Sequence, residues 1–229
     1  MGRRALPRID PTVDVSRHLV DADTLPKPGQ PTEVREAWPT DAFDPKSWFA
    51  NPTLPLEIEV GSGKGLFMNS ASRAMPERNF LGIEIATKYA RFAAHRLAKE
   101  NRANGIMVHG DAQAFFADRL RDGYADAVHV YFPDPWWKKR HHKRRIMNPS
   151  FVKQIERVLR PGGRLHFWTD VEEYFQEALI TLAEHTGLAG PFEVPELPPT
   201  HDLDYRTHFE RRMRLHELAV YRAEFERKA

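Results

Sequence analysis

From Leu54 onward the chain alternates short apolar runs with longer stretches of helical period, and this alternation restricts the fold more than any single residue does. Leu56–Val60 reads as a buried strand, followed by Gly61-Ser62-Gly63-Lys64-Gly65 and a helix over Leu66–Met75. Phe80–Ile85 predicts a second strand. Ala86–Lys99 predicts a helix, with Tyr89, Phe92, Ala93 and Leu97 at helical spacing. Ile106–His109 and Ala125–Phe132 read as the third and fourth strands. Pro149–Leu159 predicts a helix that stops at Pro161-Gly162-Gly163, and Arg164–Thr169 a fifth strand. A long helix over Val171–His185 follows, then a proline-rich loop region at Gly190–Tyr205 with room for a short strand, and a final strand within Arg214–Phe225. Repeated strand–helix units imply an α/β fold: a mostly parallel sheet with helices on both faces. Ligands of such sheets bind beyond the carboxyl ends of the strands.

Composition sets the outer limits. Nine of the 18 prolines lie in the first 55 residues, where no helical period persists. Residues 1–50 therefore read as a proline-rich extension, partly disordered or lying along the domain, and residues 51–229 as the domain itself. There is no cysteine, which excludes disulfides, thiolate metal sites and a cysteine nucleophile, including base methylation through a cysteine adduct. No metal is expected. No apolar run approaches the roughly 18 residues of a bilayer span, and the opening residues lack the apolar core of a signal peptide. The expected location is cytoplasmic, with no membrane partner.

A polar or acidic residue stands near the carboxyl end of each strand. Glu59 precedes Gly61 and Gly63, whose turn allows a ligand to approach the backbone. The next glycine, Gly65, comes one residue too early for a dinucleotide fingerprint. That spacing argues against a nicotinamide dehydrogenase and for a nucleoside ligand without pyrophosphate, such as S-adenosylmethionine. Glu84, about 20 residues beyond the glycines, is placed to accept from ribose hydroxyls; as a bland alternative it stabilises a helix N-terminus. Asp111 could accept from the adenine amino group, or simply cap a helix.

Beyond the fourth strand, Pro133-Asp134-Pro135-Trp136-Trp137 runs into Lys138–Arg145, where six Lys or Arg and two His fall within eight residues. The net charge of the whole chain is only +2, so this run is a local concentration. A carboxylate held between prolines, an aromatic platform and a phosphate-binding run point to an enzyme acting on a nucleic-acid base. At least one of the two tryptophans is expected near the substrate.

These residues resemble the bacterial tRNA (guanine-N7-)-methyltransferase family from about Leu54 to the C-terminus. The most specific part is Phe132-Pro133-Asp134-Pro135-Trp136 with Lys138 and His141–Arg145. Leu56–Gly61, Gly63, Gly82-Ile83-Glu84, Asp111-Ala112 and Thr169-Asp170 follow the family in the same order. Thr207-His208-Phe209-Glu210 stands where the family has Thr-Lys-Phe-Glu.

The resemblance implies a Rossmann-like class I methyltransferase with a seven-stranded, mostly parallel sheet. It implies transfer of the methyl group of S-adenosylmethionine to N7 of a guanine in the tRNA variable loop, guanosine 46 by tRNA convention. Cofactor contacts are implied for Glu59, Gly61, Gly63, Glu84, Asp111 and Asp134, with Asp134 also catalytic. Substrate contacts are implied for Lys138, Asp170, Thr207, His208, Phe209 and Glu210. RNA contacts are implied for Arg140, His141, His142, Lys143, Arg144 and Arg145. tRNA is the expected partner, and a monomer or a homodimer fits equally well. Two rivals remain at this point: an exocyclic-amine methyltransferase, because Asp134-Pro135-Trp136-Trp137 is also similar to Asp-Pro-Pro-Tyr, and a non-catalytic RNA-binding protein with a methyltransferase fold.

Overall fold

A computed structural model describes residues 6–25, 44–194 and 218–229. In chain order the described elements are β1 (Leu19–Asp21), β2 (Leu56–Val60), α1 (Leu66–Ala74), β3 (Asn79–Glu84), α2 (Thr87–Lys99), β4 (Gly105–His109), α3 (Ala112–Arg119) and β5 (Ala125–Tyr131). They continue with α4 (Pro149–Val158), β6 (Leu159–Thr169), α5 (Glu172–His185), β7 (Ala189–Phe192) and β8 (Tyr221–Glu226). The strands form one sheet in the order β1-β4-β3-β2-β5-β6-β8-β7. β1 to β6 are parallel, and β8 lies antiparallel to both β6 and β7.

The sheet has eight strands among the described residues, one more than the seven the sequence implies. The extra strand is β1, from the N-terminal extension, pairing Leu19 to Met107 and Asp21 to His109. Three residues among prolines and acids carry too little periodicity to be read as a strand; the exposed edge of β4 supplies the pairing. α3 enters the sequence reading only as the helix that Asp111 could cap, with no bounds. It is a single short helix that buries Ala112, Phe115 and Phe116 on one face, while the exposed Ala114 and Ala117 keep the other face from reading as polar. β6 begins at Leu159 and passes through Pro161-Gly162-Gly163, which the sequence reads as a stop. Those residues sit at the sheet margin, where Gly162 and Gly163 exchange backbone hydrogen bonds with Arg227.

All residues of β2 and β3 are buried, as expected for central parallel strands covered on both faces. The larger core packs Ile58, Val60, Leu81, Ile83, Val128 and Val130 against Phe116, Phe151, Ile155 and Tyr174 from α3, α4 and α5. The smaller core packs α1 and α2 on the other face through Phe67, Met68, Ala93 and Leu97, with Phe80 and Met107. Gly82 explains itself here: a Cβ would lie 2.5 Å from Ser62 Oγ and 2.7 Å from Met107 Sδ. Strand order reverses at β2, with β3 and β4 on one side and β5 and β6 on the other. A crevice therefore opens between the ends of β2 and β5.

Candidate active site

Glu59 and the turn Gly61–Gly65 end β2 at this crevice. Glu59 is 3% exposed, and among the described residues its Oε2 has no hydrogen-bond partner. Burial pushes its carboxyl up to about 8; the Ser62 hydroxyl opposes the shift and the Glu84 charge adds to it. A buried acid with an unused oxygen is costly unless a ligand completes it. Gly61 and Gly63 both have positive φ, and a Cβ built on either would meet nothing within 4 Å, so the turn borders open space.

Glu84, buried at the end of β3, fixes that turn. Its Oε2 accepts from the Gly63 N–H at 2.8 Å and its Oε1 from the Ala86 N–H at 2.8 Å. The helix-end role offered by the sequence is thus real, and the same carboxylate also sets the glycine turn. Asp111 is exposed and caps α3, accepting from the Gln113 N–H at 2.8 Å with Oδ1. His109, which the sequence did not single out, stands between Thr87 Oγ1 at 3.0 Å and Asp21 Oδ1 at 3.3 Å. Ala22 closes on Gly110, where a Cβ would lie 2.7 Å away. The segment after β1 thereby walls the carboxyl end of β4, a long-range contact with no sequence signal.

Across the crevice, β5 runs into Pro133–Trp137. Asp134 and Trp137 are both exposed, Trp137 at 73%. Trp136 is different. It has φ 47°, stands edge-on to His141 at 6.0 Å between centroids, and lies under the Arg144 guanidinium at 5.0 Å. The aromatic pair therefore splits: Trp136 supports the basic run, and Trp137 is open. Lys138 caps a 3-10 turn over Lys139–Arg144, which presents Lys138, Lys139, Arg140, Lys143 and Arg144 to solvent, with His141 and His142 half-buried. Asp170 follows β6, half-buried and on the same end of the sheet. Thr207, His208, Phe209 and Glu210 lie outside the described residues, as do 214–217 of the predicted last strand.

Arg145, which the resemblance groups with the RNA-contacting cations, faces inward and is 4% exposed. Its Nε donates to Pro135 O at 2.8 Å, Nη1 pairs with Glu177, and Nη2 lies 3.1 Å from His142 Nε2. Burial and these partners occupy its guanidinium within the fold. In a basic run the inward-facing member has no distinguishing composition, so sequence could not separate it.

Another unanticipated feature lies near the amino ends of the strands. Glu57, which Arg78 meets at 3.0 Å and His129 at 2.8 Å, lines a cleft of about 510 Å³ with His166 and Arg164. Burial opposes ionisation of Glu57, but the His129 hydrogen bond and the His129 and Arg78 charges outweigh it and hold its carboxyl below the usual value. This cleft is far along the strands from the glycine turn and takes no part in the site above.

The crevice between β2 and β5 thus offers a ligand an open glycine turn and the unused Glu59 oxygen. With a dinucleotide fingerprint absent, the architecture is that of S-adenosylmethionine-dependent methyltransferases. Solved structures agree at the level of fold. The 16S rRNA methyltransferase KamB superposes with a TM-score of 0.55 at 17% identity, over 76% of this chain and 88% of that one. An S-adenosylmethionine-dependent methyltransferase from Aquifex aeolicus gives 0.51 at 13%, over 86% and 89%.

Sequence relatives are more specific. A family model described as "Putative methyltransferase" matches residues 53–223. The tRNA (guanine-N(7)-)-methyltransferase of Rhodopirellula baltica is 46% identical over 228 residues, 97% of this chain and 79% of that one. Its namesake from Nitrosococcus oceani is 37% identical over 166 residues, 70% of each. The chain belongs to the tRNA (guanine-N(7)-)-methyltransferase family.

Proposed function

We infer that this protein transfers a methyl group from S-adenosylmethionine to N7 of a guanine in tRNA. The observation that carries the reading is the 46% identity, spanning nearly the whole chain, to a relative of that name. The site supports it: an open glycine turn with the unused Glu59 oxygen, facing an exposed acid, an exposed indole and a cationic turn. When bound, S-adenosylmethionine supplies an electrophilic methyl group on sulfur. Glu59, Gly61, Gly63, Glu84 and Asp111 are the residues to hold it; Asp134, a cofactor contact by the resemblance as well, we assign to the purine.

Guanine N7 carries a lone pair in the neutral base, so no proton must leave before methylation and no strong base is required. The chain's contribution is then positioning and electrostatics. The product purine is cationic, and the Asp134 carboxylate beside it stabilises that charge and can accept from the guanine N1–H and 2-amino group. Trp137 offers its face to the purine. Lys138, Lys139, Arg140, Lys143 and Arg144 meet phosphates, and Asp170 shares in orienting the base. We assign the reacting guanine to position 46 of the variable loop, residues 51–229 to the catalytic domain, and the protein to the cytoplasm. Among the described residues no helix is long and apolar enough to cross a membrane.

The deciding experiment incubates purified protein with labelled S-adenosylmethionine and unmodified tRNA, then maps the product. Cleavage by reduction and aniline at one guanine is expected, because N7-methylguanine is labile to that treatment. Label on an exocyclic amine would establish the rival methyltransferase. Absence of cofactor binding by calorimetry would establish the non-catalytic one.

A further inference from the structure

The turn that carries Asp134 begins and ends on bulky residues in left-handed backbone: Phe132 at φ 48° and Trp136 at φ 47°. Non-glycine residues with large side chains rarely occupy that region, and they stay there only where the surroundings over-determine it. The entry is fixed by β6, through the Phe132 N–H donating to Trp168 O at 2.8 Å. The exit is fixed from below by Arg145, whose Nε holds Pro135 O, the carbonyl one residue beyond Asp134.

Arg145 is in turn fixed by α5. Glu177 takes Nη1, Glu173 lies 3.8 Å from Nη2, and the Tyr174 ring lies under the guanidinium at 4.8 Å. Tyr174 also reaches back along the chain, its hydroxyl accepting from the Met147 N–H at 3.2 Å. His142, inside the cationic turn, meets the same guanidinium. His142, Glu173 and Glu177 bring ligand-type atoms within 4.8 Å of one another, but the arginine already supplies the positive charge there.

We propose that Arg145, anchored on α5 by Glu177, is a positioning residue that holds the Pro133–Trp137 turn so that Asp134 meets the purine in one fixed arrangement. Its single fork joins the carbonyl beside the reactive acid, the helix after Asp170 and the phosphate-facing turn. A planar fork suits this better than an ammonium does, because several donors must leave one plane in set directions. The inference rests on the reading of Asp134 as the catalytic carboxylate.

The test uses the full chain with Arg145→Gln, Arg145→Lys, Glu177→Gln, Asp134→Ala and the double variant Asp134→Ala/Arg145→Gln. Each is assayed for kcat at saturating tRNA, for S-adenosylmethionine affinity by calorimetry, and for the salt dependence of tRNA binding. A displacement of about 1 Å in a reacting group costs on the order of 100-fold in rate, so Arg145→Gln is expected to lose about that much in kcat. Cofactor affinity and the salt slope should both stay at the wild-type value. Arg145→Lys should remain impaired, since charge without the fork does not restore the geometry. Glu177→Gln should lower kcat about tenfold, a milder displacement than losing the fork itself.

The double variant should be no slower than Asp134→Ala alone, because the arginine acts through that acid. Wild-type kcat with a salt slope reduced by about 1 would make Arg145 a phosphate ligand and overturn the proposal. Equal losses in kcat and cofactor affinity would overturn it in favour of a general folding role. Should Arg145→Gln fail to fold, Glu177→Gln decides, since that side chain is partly in solvent; wild-type kcat there overturns the proposal. If Asp134→Ala itself turns over at the wild-type rate, the catalytic reading fails and the proposal with it. If Asp134→Ala is slow while the arginine variants are normal, only the brace fails.

Discussion

At the carboxyl ends of β2 and β3 the functional carboxylates are sunk in the sheet, whereas beyond β5 they stand in solvent. Glu59 and Glu84 are both buried, and Glu84 uses one oxygen on the glycine turn and the other on the start of α2. Asp134, Trp137 and the cations of the 3-10 turn are exposed. The cofactor side is preformed: its shape is held by backbone that the sheet already fixes. The substrate side presents exposed groups on a turn that, among the described residues, is held at its two ends and from beneath. A small ligand must be enclosed to be held, but a folded RNA arrives as a large surface and needs a protruding one. The contrast predicts that changes beyond β5 alter turnover and tRNA binding while leaving cofactor affinity intact, and that changes at β2 do the reverse.

The largest expected effect is from Asp134→Ala. Removing one preorganised electrostatic group from a reacting centre costs on the order of 100- to 1,000-fold in kcat. S-adenosylmethionine affinity measured by calorimetry should change little if the two sides are independent; a loss as large as that in kcat would merge them into one site. Next is Trp137→Ala, which should weaken tRNA binding by about 1–3 kcal/mol if that indole stacks on a base. Trp136→Ala offers the contrast, since Trp136 lies under Arg144 and should act on the cationic turn instead. A filter-binding comparison in which Trp136→Ala alone loses affinity would reverse the two roles.

A third prediction concerns pH on the cofactor side. Glu59 is raised from 4.5 to about 8, so between those values the folded protein holds a proton that the unfolded chain has released. Folding stability from this group therefore falls as pH rises through that window and levels off above about 8. Cofactor binding has the opposite sign. S-adenosylmethionine is cationic at sulfur and at its amino group, so it favours the carboxylate and displaces the proton. Affinity should rise with pH up to about 8, by at most about tenfold per unit, and be flat in Glu59→Gln. A wild-type titration as flat as the variant's would remove Glu59 from the cofactor side. The smallest effect per residue is on charge. Neutralising Lys143 and Arg144 together should reduce the slope of log affinity against log salt by about 2, with kcat at saturating tRNA preserved.

Legibility differed along the same divide. β2 has the bounds read from the sequence, because a central parallel strand must be apolar at nearly every position and its turn residues stop it sharply. Glu59, Glu84 and Asp111 were legible for a related reason: a polar residue ending such a run stands out. β1 and the bounds of α3 were not, since a three-residue edge strand has no period to detect and a two-turn helix with alanines on its exposed face shows little polar contrast. Within Lys138–Arg145 the residue types were evident and their directions were not. Five cations face solvent and Arg145 faces Pro135 and α5, although composition treats all six alike. The two tryptophans divide in the same way.

The sequence by itself determined the α/β architecture, the acids at the strand ends and the kinship that names the reaction, because each is written in local residue pattern. The tertiary structure alone decided which side chains are free to act. It withdrew Arg145 and Trp136 into support, left Trp137 and Asp134 open, and brought Asp21 and Ala22 against the end of β4. Orientation and long-range packing depend on what lies across the fold from a residue, and no neighbour in the chain carries that information.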